Sequence, residues 1–210
     1  MNAAAAVTDF YYFLLSVAFI SLSGVMMPGP VFAMAVAKGY KDRRAGILIA
    51  LGHAAVEFPL MFLIFFGFTW FFSSITVQKV VGLDGALIMI YTGLSLFKTQ
   101  EKENEEQADS KRGSFVVGVL TTVANPYFFL WWITIGAALI LNASAFGFTA
   151  FLAFTLVHWS CDLFWDAFVS ASVYGTRRFW TAKAYKLVFA FCFIVLVAFG
   201  VWFIVSALLL

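Results

Sequence analysis

The sequence predicts an all-α integral membrane protein with six transmembrane helices, and three observations support this prediction. Hydrophobic residues make up 63% of the 210 positions and charged residues only 11%, whereas soluble domains average about 25% charged residues. The charges lie between long apolar segments, and prolines interrupt two of those segments at similar places. Such a chain needs a lipid bilayer as its solvent. Its basic residues occur in twos and fours at the ends of apolar segments, which gives no support for a nucleic-acid partner.

The spans follow from the positions of the charges. Because a helix needs about 20 apolar residues to cross a bilayer, six spans are expected, at 10–37, 45–72, 80–97, 113–141, 147–174 and 187–209. The first lacks the basic start of a signal peptide and exceeds its usual apolar length, so we expect it to be retained. A turn at 141–147 separates the fourth span from the fifth.

The distribution of basic residues predicts the orientation. Twelve of the 13 Lys and Arg residues lie between spans 1 and 2, spans 3 and 4, or spans 5 and 6. Cytoplasmic loops carry this excess, so we expect a multi-pass protein of the cell membrane with both termini outside. The polar segment 98–113 predicts a charged cytoplasmic linker between a first repeat (1–97) and a second repeat (114–210). Two related three-span halves would form an inverted repeat, an arrangement common among transporters.

The two histidines of the chain each precede an acid by four residues inside a predicted span. His53 precedes Glu57 in span 2, and His158 precedes Asp162 in span 5, with Asp166 one turn later. Residues four apart share a helix face. An ionised group near the bilayer centre costs at least about 2.5–3.5 kcal/mol, so such residues usually serve a substrate or ion pathway. The alternative is that both pairs are buried structural hydrogen bonds.

Prolines are predicted to break the first and fourth spans. Span 1 contains Pro28, Gly29 and Pro30, and span 4 contains Asn125 followed by Pro126. Each break predicts freed carbonyls and a second half-helix whose first N–H groups lack partners. Such backbone is tolerated at membrane depth only where it is buried or lines a cavity. The N–H groups suit a carboxylate and the carbonyls suit an ammonium group or a cation, which together fit an amino acid. The alternative is that the prolines only kink two helices.

These residues resemble the lysine exporter (LysE/RhtB-type) family of amino-acid translocators. The similarity is carried by PGPVFAMAVAKGYKDRRAGILIALGH (28–53), LDGALIMIYTGLSLF (83–97) and NPYFFLWW (125–132). The resemblance implies an inverted-repeat bundle that exports amino acids or related small metabolites, coupled to a proton or sodium gradient. It also implies that the backbone at the two proline breaks binds the substrate, at positions Pro28, Gly29, Pro30, Asn125 and Pro126.

We therefore expect a secondary transporter rather than an enzyme, with no cofactor and no resident metal, working by alternating access around a midplane site. Glu57 or Asp162 would hold the amino group of the substrate or exchange a proton with it. His53 and His158 would relay protons, because imidazole titrates near neutral pH, and Asp166 would take part in the coupling. The expected partners are the amino acid or metabolite, the coupling ion, the bilayer and, as one option, a second copy of the chain.

Two alternatives remain, one within transport and one in another class of protein. One is a divalent metal cation exporter in which the His, Glu and Asp pairs serve as ligands. The other is a membrane thiol–disulfide electron carrier, which needs paired cysteines beside the prolines. Gly29 and Asn125 occupy those places, and Cys161 and Cys192 lie elsewhere, so the sequence argues against the electron carrier.

Overall fold

The structure, a computed structural model, describes residues 3–68, 74–99 and 111–209, and these residues form helices joined by short turns, with no strand among them. The middle of the predicted linker, 100–110, lies outside the described residues, as does the end of predicted span 2 at 69–72. The helices before the linker are α1 (Ala3–Val25), α2 (Pro30–Gly39), α3 (Ala45–Phe65) and α4 (Ile75–Thr99).

The helices after the linker are interrupted at more places. Gly147, which precedes the longest of them, has a φ angle of +96°, a conformation that glycine adopts without steric cost, and it lies in the predicted turn. The elements are α5 (Lys111–Val123), α6 (Pro126–Trp131), a π-helical turn (Trp132–Gly136), α7 (Ala137–Ala145), α8 (Phe148–Thr176), a 3₁₀ turn (Arg177–Phe179) and α9 (Ala182–Leu209).

Both predicted proline breaks are present. Between α1 and α2, Gly29 is extended with φ −138° and ψ −168°, and Pro30 is the first residue of α2. Between α5 and α6, Asn125 has φ −97° and ψ 100°, and Pro126 begins α6. Proline is well suited to the first helical position because the N–H it lacks has no helical partner there. Each break therefore separates two half-helices that continue in the same region of the bundle.

The expectation of freed carbonyls at the breaks needs a correction. The carbonyl oxygen of Gly24 accepts a hydrogen bond from the N–H of Met27 at 3.2 Å, and that of Thr122 accepts one from the N–H of Asn125 at 3.1 Å. At each break the chain forms a turn whose hydrogen bond joins residues three positions apart, and such turns are common at helix ends. These two carbonyls are thus already bonded once within the protein.

Five helices in the described part of the chain are long and apolar enough to cross a membrane. The third predicted span, 80–97, lies inside α4, which is helical over 25 residues but is not one of these five. The shorter apolar helices Pro30–Gly39 and Gly113–Val123 adjoin the two breaks. The fold is therefore that of a helical, multi-pass membrane protein, and the number six stays a prediction. The five helices are Thr8–Val25, Ala45–Phe65, Pro126–Ala145, Phe148–Phe179 and Lys186–Leu209.

The α2–α3 and α8–α9 connections lie at one end of the bundle, which we call the basic end. The Arg177 guanidinium, 3.4 Å above the ring of Tyr174, donates a hydrogen bond to the carbonyl of Tyr40 at 3.4 Å. A further tie joins α8 to the start of α3. Ser170 Oγ accepts from the N–H of Gly46 and donates to the carbonyl of Arg43, each at 3.0 Å.

Helices α3 and α5 approach so closely that their backbones touch. A Cβ atom added to Gly52 would overlap the carbonyl oxygen of Phe115, and one added to Gly118 would overlap that of Ile49. Small residues permit this packing where no hydrophobic effect drives helices together in lipid. This crossing lies on the basic-end side of His53 and fixes the distance between the two helices.

The opposite end of the bundle is packed by phenylalanine side chains instead. The Phe65 and Phe151 rings stack with centroids 4.2 Å apart, and Phe62 meets Phe151 edge-on at 5.2 Å. Phe13 of α1 stacks on Phe146 at 5.8 Å. Side-chain contacts of this kind can separate without moving hydrogen-bonded backbone.

Candidate functional site

The two histidines meet at a single carboxylate oxygen in the middle of the bundle. His53 Nε2 on α3 and His158 Nε2 on α8 each lie 3.1 Å from Glu57 Oε1. Glu57 is only 1% exposed. The i,i+4 spacing places His53 beside Glu57 on one helix face, and the packing of α8 against α3 adds His158. The sequence predicted two separate pairs, whereas the structure joins them through one oxygen.

Asp162 completes the cluster from α8. Its Oδ1 lies 3.7 Å from His53 Nε2, and its Oδ2 lies 3.7 Å from His158 Nε2. These distances allow electrostatic attraction but exceed a hydrogen bond. We call His53, Glu57, His158 and Asp162 the central cluster. Its members are all buried, so each charge there acts on the others with little screening by water.

The second nitrogen of each histidine contacts a hydroxyl from the opposite half of the chain. His53 Nδ1 lies 2.8 Å from Thr122 Oγ1, next to the second break, and His158 Nδ1 lies 2.7 Å from Ser21 Oγ on α1. Both hydroxyl residues are buried. Each broken span is thereby connected to the central cluster by one hydrogen bond.

Ser21 and the hydroxyl of Thr122 were missed by the sequence analysis. Hydroxyl side chains are frequent in membrane helices and most often bond to their own helix, so neither position stands out. A buried histidine needs partners for both ring nitrogens, and that requirement is the only available signal. It indicates that partners exist without saying which hydroxyls they are.

Aromatic rings surround the histidines. The ring of Phe128 meets His53 edge-on with centroids 5.2 Å apart. The rings of Trp131 and Trp132 lie 5.0 Å and 4.9 Å from His158. These residues follow the second break directly. They exclude water from the histidine side of the central cluster, which strengthens its electrostatic interactions.

A cavity of about 90 Å³ lies beside the central cluster, between the two breaks. It is lined by all five predicted coupling residues: His53, Glu57, His158, Asp162 and Asp166. Of the remaining predicted substrate-binding residues it is lined by Pro28, Gly29, Pro30 and Asn125. Pro126 is not part of the lining. Its ring packs against Gly85 of α4, where an added Cβ would lie 2.6 Å from Pro126 Cγ.

The two half-helix starts differ in their available donors. At α2 the N-cap residue Gly29 offers no side chain, and the first helical hydrogen bond runs from Ala33 N–H to the carbonyl of Gly29 at 2.9 Å. The N–H groups of Val31 and Phe32 precede that bond and have no partner within the helix. At α6 the Asn125 side chain accepts from the N–H of Tyr127 at 3.1 Å, so the chain caps that start itself.

Two carboxylate oxygens of the central cluster are buried without a hydrogen-bond partner in the described part of the chain. They are Glu57 Oε2 and Asp162 Oδ2. Leaving such an acceptor unsatisfied costs about 1–3 kcal/mol or more. Because both residues line the cavity, a cation, a donor or water in the cavity would relieve this cost.

The same groups have the chemistry of a cation site. One ligand atom each from His53, Glu57 and Asp162 lie within 4.8 Å of one another. Imidazole and carboxylate together suit several divalent transition metals. Asp166, also buried, is placed one turn further along α8.

Ionisable residues buried beside a cavity, inside a bundle of apolar helices, are typical of membrane transport proteins. Residues 22–207 match the family described as LysE type translocator, and the chain belongs to this family. It is also 25% identical over 181 residues to a Bacillus subtilis (strain 168) protein named "Putative amino acid efflux protein YcgF", a similarity that covers 83% of this chain and 87% of the relative. No solved structure matches the chain. The predicted family resemblance is thus confirmed.

Proposed function

We propose that the protein exports an amino acid or a related small metabolite across the cell membrane, driven by a proton or sodium gradient. The observation that carries this proposal is the central cluster, which lies at the cavity between the two broken helices. Family membership and the efflux protein of Bacillus subtilis support the amino-acid class. The molecule acts as a secondary transporter and catalyses no covalent chemistry.

The substrate binds in the cavity with its two charged groups on different walls. Its carboxylate accepts hydrogen bonds from the N–H groups of Val31 and Phe32 at the start of α2, where the helix dipole also favours negative charge. Its ammonium group donates to Glu57 Oε2 and Asp162 Oδ2, the two unpaired oxygens. Because α6 is capped by Asn125, the second break contributes Asn125 and its aromatic residues to the walls rather than a second carboxylate site.

Access alternates as helices drawn from the two halves, 1–97 and 114–210, rock about the central cluster. The contacts between helices support this inverted-repeat arrangement, because α3 packs against α5 while α8 packs against α1. The two histidine–hydroxyl bonds also each join a residue of one half to a residue of the other half. Contact between the two basic connections through Arg177 supports a cytoplasmic basic end, with both termini outside.

The test is transport by purified protein in liposomes with an imposed pH or sodium gradient and a panel of labelled amino acids. We expect uptake of at least one amino acid that stops when the gradient is dissipated. Glu57→Gln is expected to abolish gradient-driven uptake while the thermal unfolding temperature stays within a few degrees. Asp84→Asn, an exposed acid on α4 outside the cavity lining, is the matched control. Undiminished coupled transport by Glu57→Gln would refute its role.

A second candidate is export of a divalent metal cation, favoured by the proximity of His53, Glu57 and Asp162. The same liposomes distinguish it when they are loaded with a fluorescent indicator and offered Zn²⁺ or Mn²⁺. Movement of a cation, with no movement of any amino acid, would assign the central cluster as metal ligands and leave the proline breaks as hinges.

A further inference from the structure

Carboxyl groups outnumber basic groups in the cavity. Glu57, Asp162 and Asp166 line it together with two histidines, and the described lining residues include no lysine or arginine. Two of the carboxylate oxygens are buried without a hydrogen-bond partner in the described part of the chain. An ammonium group brings three donors and a full positive charge, and so satisfies both oxygens. The cavity is therefore built for a group that enters as a cation.

The rest of the lining is apolar and aromatic. Phe128 and Trp131 lie beside the two histidines, and thioether and ring groups from α2, α4 and α9 face the same space. Such a wall gains free energy from burying a large apolar group, and methionine side chains adapt to its shape. The large apolar lining includes Met27, Phe32, Met89, Phe128, Trp131 and Phe199.

The capacity for negative charge is limited to one carboxylate. The N–H groups of Val31 and Phe32 are neutral donors at a single helix start, and the other start is capped by Asn125. A second carboxylate, as in an acidic side chain, would face three carboxyl groups with no lysine or arginine among the described lining residues to offset it. A second ammonium, as in a basic side chain, would leave water for the apolar wall, which is costly.

We propose that the preferred substrate is an α-amino acid with a large apolar or aromatic side chain. Its ammonium group contacts Glu57 and Asp162, and its side chain lies against Phe128 and Trp131. This inference rests on the proposed function and names the substrate class of the same site. Small, acidic and basic amino acids bind more weakly, for three different physical reasons.

Isothermal titration calorimetry on the purified protein in lipid nanodiscs tests the order of affinities. The probes are phenylalanine, leucine, alanine, lysine and glutamate, with 3-phenylpropionate as the analogue of phenylalanine that lacks the ammonium group. We expect phenylalanine or leucine to bind at least about tenfold tighter than alanine, because a larger apolar surface is buried. Lysine, glutamate and 3-phenylpropionate should bind more weakly than alanine.

Variants test whether the apolar wall of the cavity selects the side chain of the substrate. Phe128→Ala should reduce the affinity for phenylalanine about tenfold and reduce that for alanine by a clearly smaller factor. Phe128→Leu keeps most of the volume and serves if the alanine variant does not fold. Phe164→Ala is the matched control, because this side chain is 73% exposed on the outer face of α8.

The outcomes separate the two proposals. Tightest binding of lysine or glutamate would overturn the substrate class and leave amino-acid export standing. An equal loss of alanine and phenylalanine binding in Phe128→Ala would also overturn it, because the residue would then support the site rather than select the side chain. Binding of Zn²⁺ with no binding of any amino acid would overturn the proposed function as well.

Discussion

The contact of α3 with α5 and the contact of α8 with α1 each join a histidine of one half of the chain to a hydroxyl of the other half. The nitrogen-to-oxygen distances, 2.8 Å for His53–Thr122 and 2.7 Å for His158–Ser21, are almost equal. Both histidines then contact the same oxygen of Glu57. Around this shared chemistry, the two contacts differ in backbone packing and in the placement of hydrogens.

The packing differs because only one contact contains interlocked glycines. Gly52 and Gly118 bring the α3 and α5 backbones together, whereas Cys161 Sγ of α8 approaches the carbonyl of Ala18 on α1 at 3.8 Å. A thiol is a weak donor, so the second contact is held mainly by side-chain packing. We therefore predict that α3 and α5 move together during transport and that the contact of α8 with α1 opens.

The placement of hydrogens differs because Thr122 Oγ1 has a second hydrogen-bond partner, whereas Ser21 Oγ has none in the described chain. Thr122 Oγ1 lies 2.7 Å from the carbonyl of Gly118, so it donates there and accepts from His53 Nδ1. The contact of His53 with Glu57 then needs one more proton, on the imidazole or on the carboxyl group. In the described chain Ser21 Oγ contacts only His158, so it can donate to Nδ1 and leave that imidazole neutral. We therefore expect the exchangeable proton to lie at the His53–Glu57 contact.

The largest expected effect separates the two histidines. His53→Gln should reduce proton-driven transport about 100-fold, because removal of a proton-transfer group typically costs 10²–10⁴-fold. The loss in His158→Gln should be smaller, about tenfold, because His158 is expected to stay neutral and not to transfer the proton. Initial rates in proteoliposomes with an imposed pH gradient measure both. Exchange of labelled for unlabelled substrate without a gradient is the control for intact binding. Equal losses in the two variants would show that the proton is shared symmetrically.

The next effect tests the rigid contact. Gly52→Ala should lower the free energy of unfolding by about 1–3 kcal/mol, because the added Cβ overlaps backbone that cannot move aside. Thermal unfolding in detergent gives the change. Gly175→Ala on α8, where nothing lies within 4 Å of the added Cβ, should be neutral or slightly stabilising. If both variants behave alike, the α3–α5 crossing is looser than its geometry indicates.

Smaller effects are expected from the hydroxyls. Thr122→Val and Ser21→Ala each remove one hydrogen bond worth about 1 kcal/mol, or about fivefold in rate. Thr122→Val should reduce gradient-driven transport more, because it removes the acceptor of the protonated contact. Thr134→Val, whose hydroxyl donates to the carbonyl of Leu130 one turn earlier at 2.6 Å, is the matched control. A larger loss in Ser21→Ala would reverse the assignment of the proton.

The sequence predicted the breaks because they depend on local chemistry. Proline at a helix start, preceded by Gly29 or Asn125, is a local signal for a half-helix. Even so, proline alone does not decide the outcome, since α3 continues through Pro59 without a break. The difference is that Pro59 lies within a continuous apolar helix, without a glycine or a capping residue before it.

The joining of the two His–acid pairs could not be predicted in the same way. Spacing along one helix fixes His53 against Glu57, but the contact of His158 with Glu57 depends on how α8 packs against α3. The asymmetry of the half-helix starts was also missed. The Asn125 side chain accepts from the N–H of Tyr127, and this bond occupies a donor that the substrate was expected to use.

The smallest expected effect concerns which contact opens, and the two cysteines report on it within one molecule. Cys161 lies at the α8–α1 contact, whereas Cys192 is buried where α9 packs on α4. If α8 and α1 separate during transport, alkylation of Cys161 by N-ethylmaleimide should change roughly threefold on addition of substrate, because the ligand shifts the populations of the two states. Alkylation of Cys192 should be unchanged. Mass spectrometry identifies the labelled cysteine, and Cys192→Ala confirms the assignment. A response at Cys192 alone would place the moving contact between α4 and α9. The α3–α5 contact and the α8–α1 contact would then both belong to a core around the central cluster that does not move during transport.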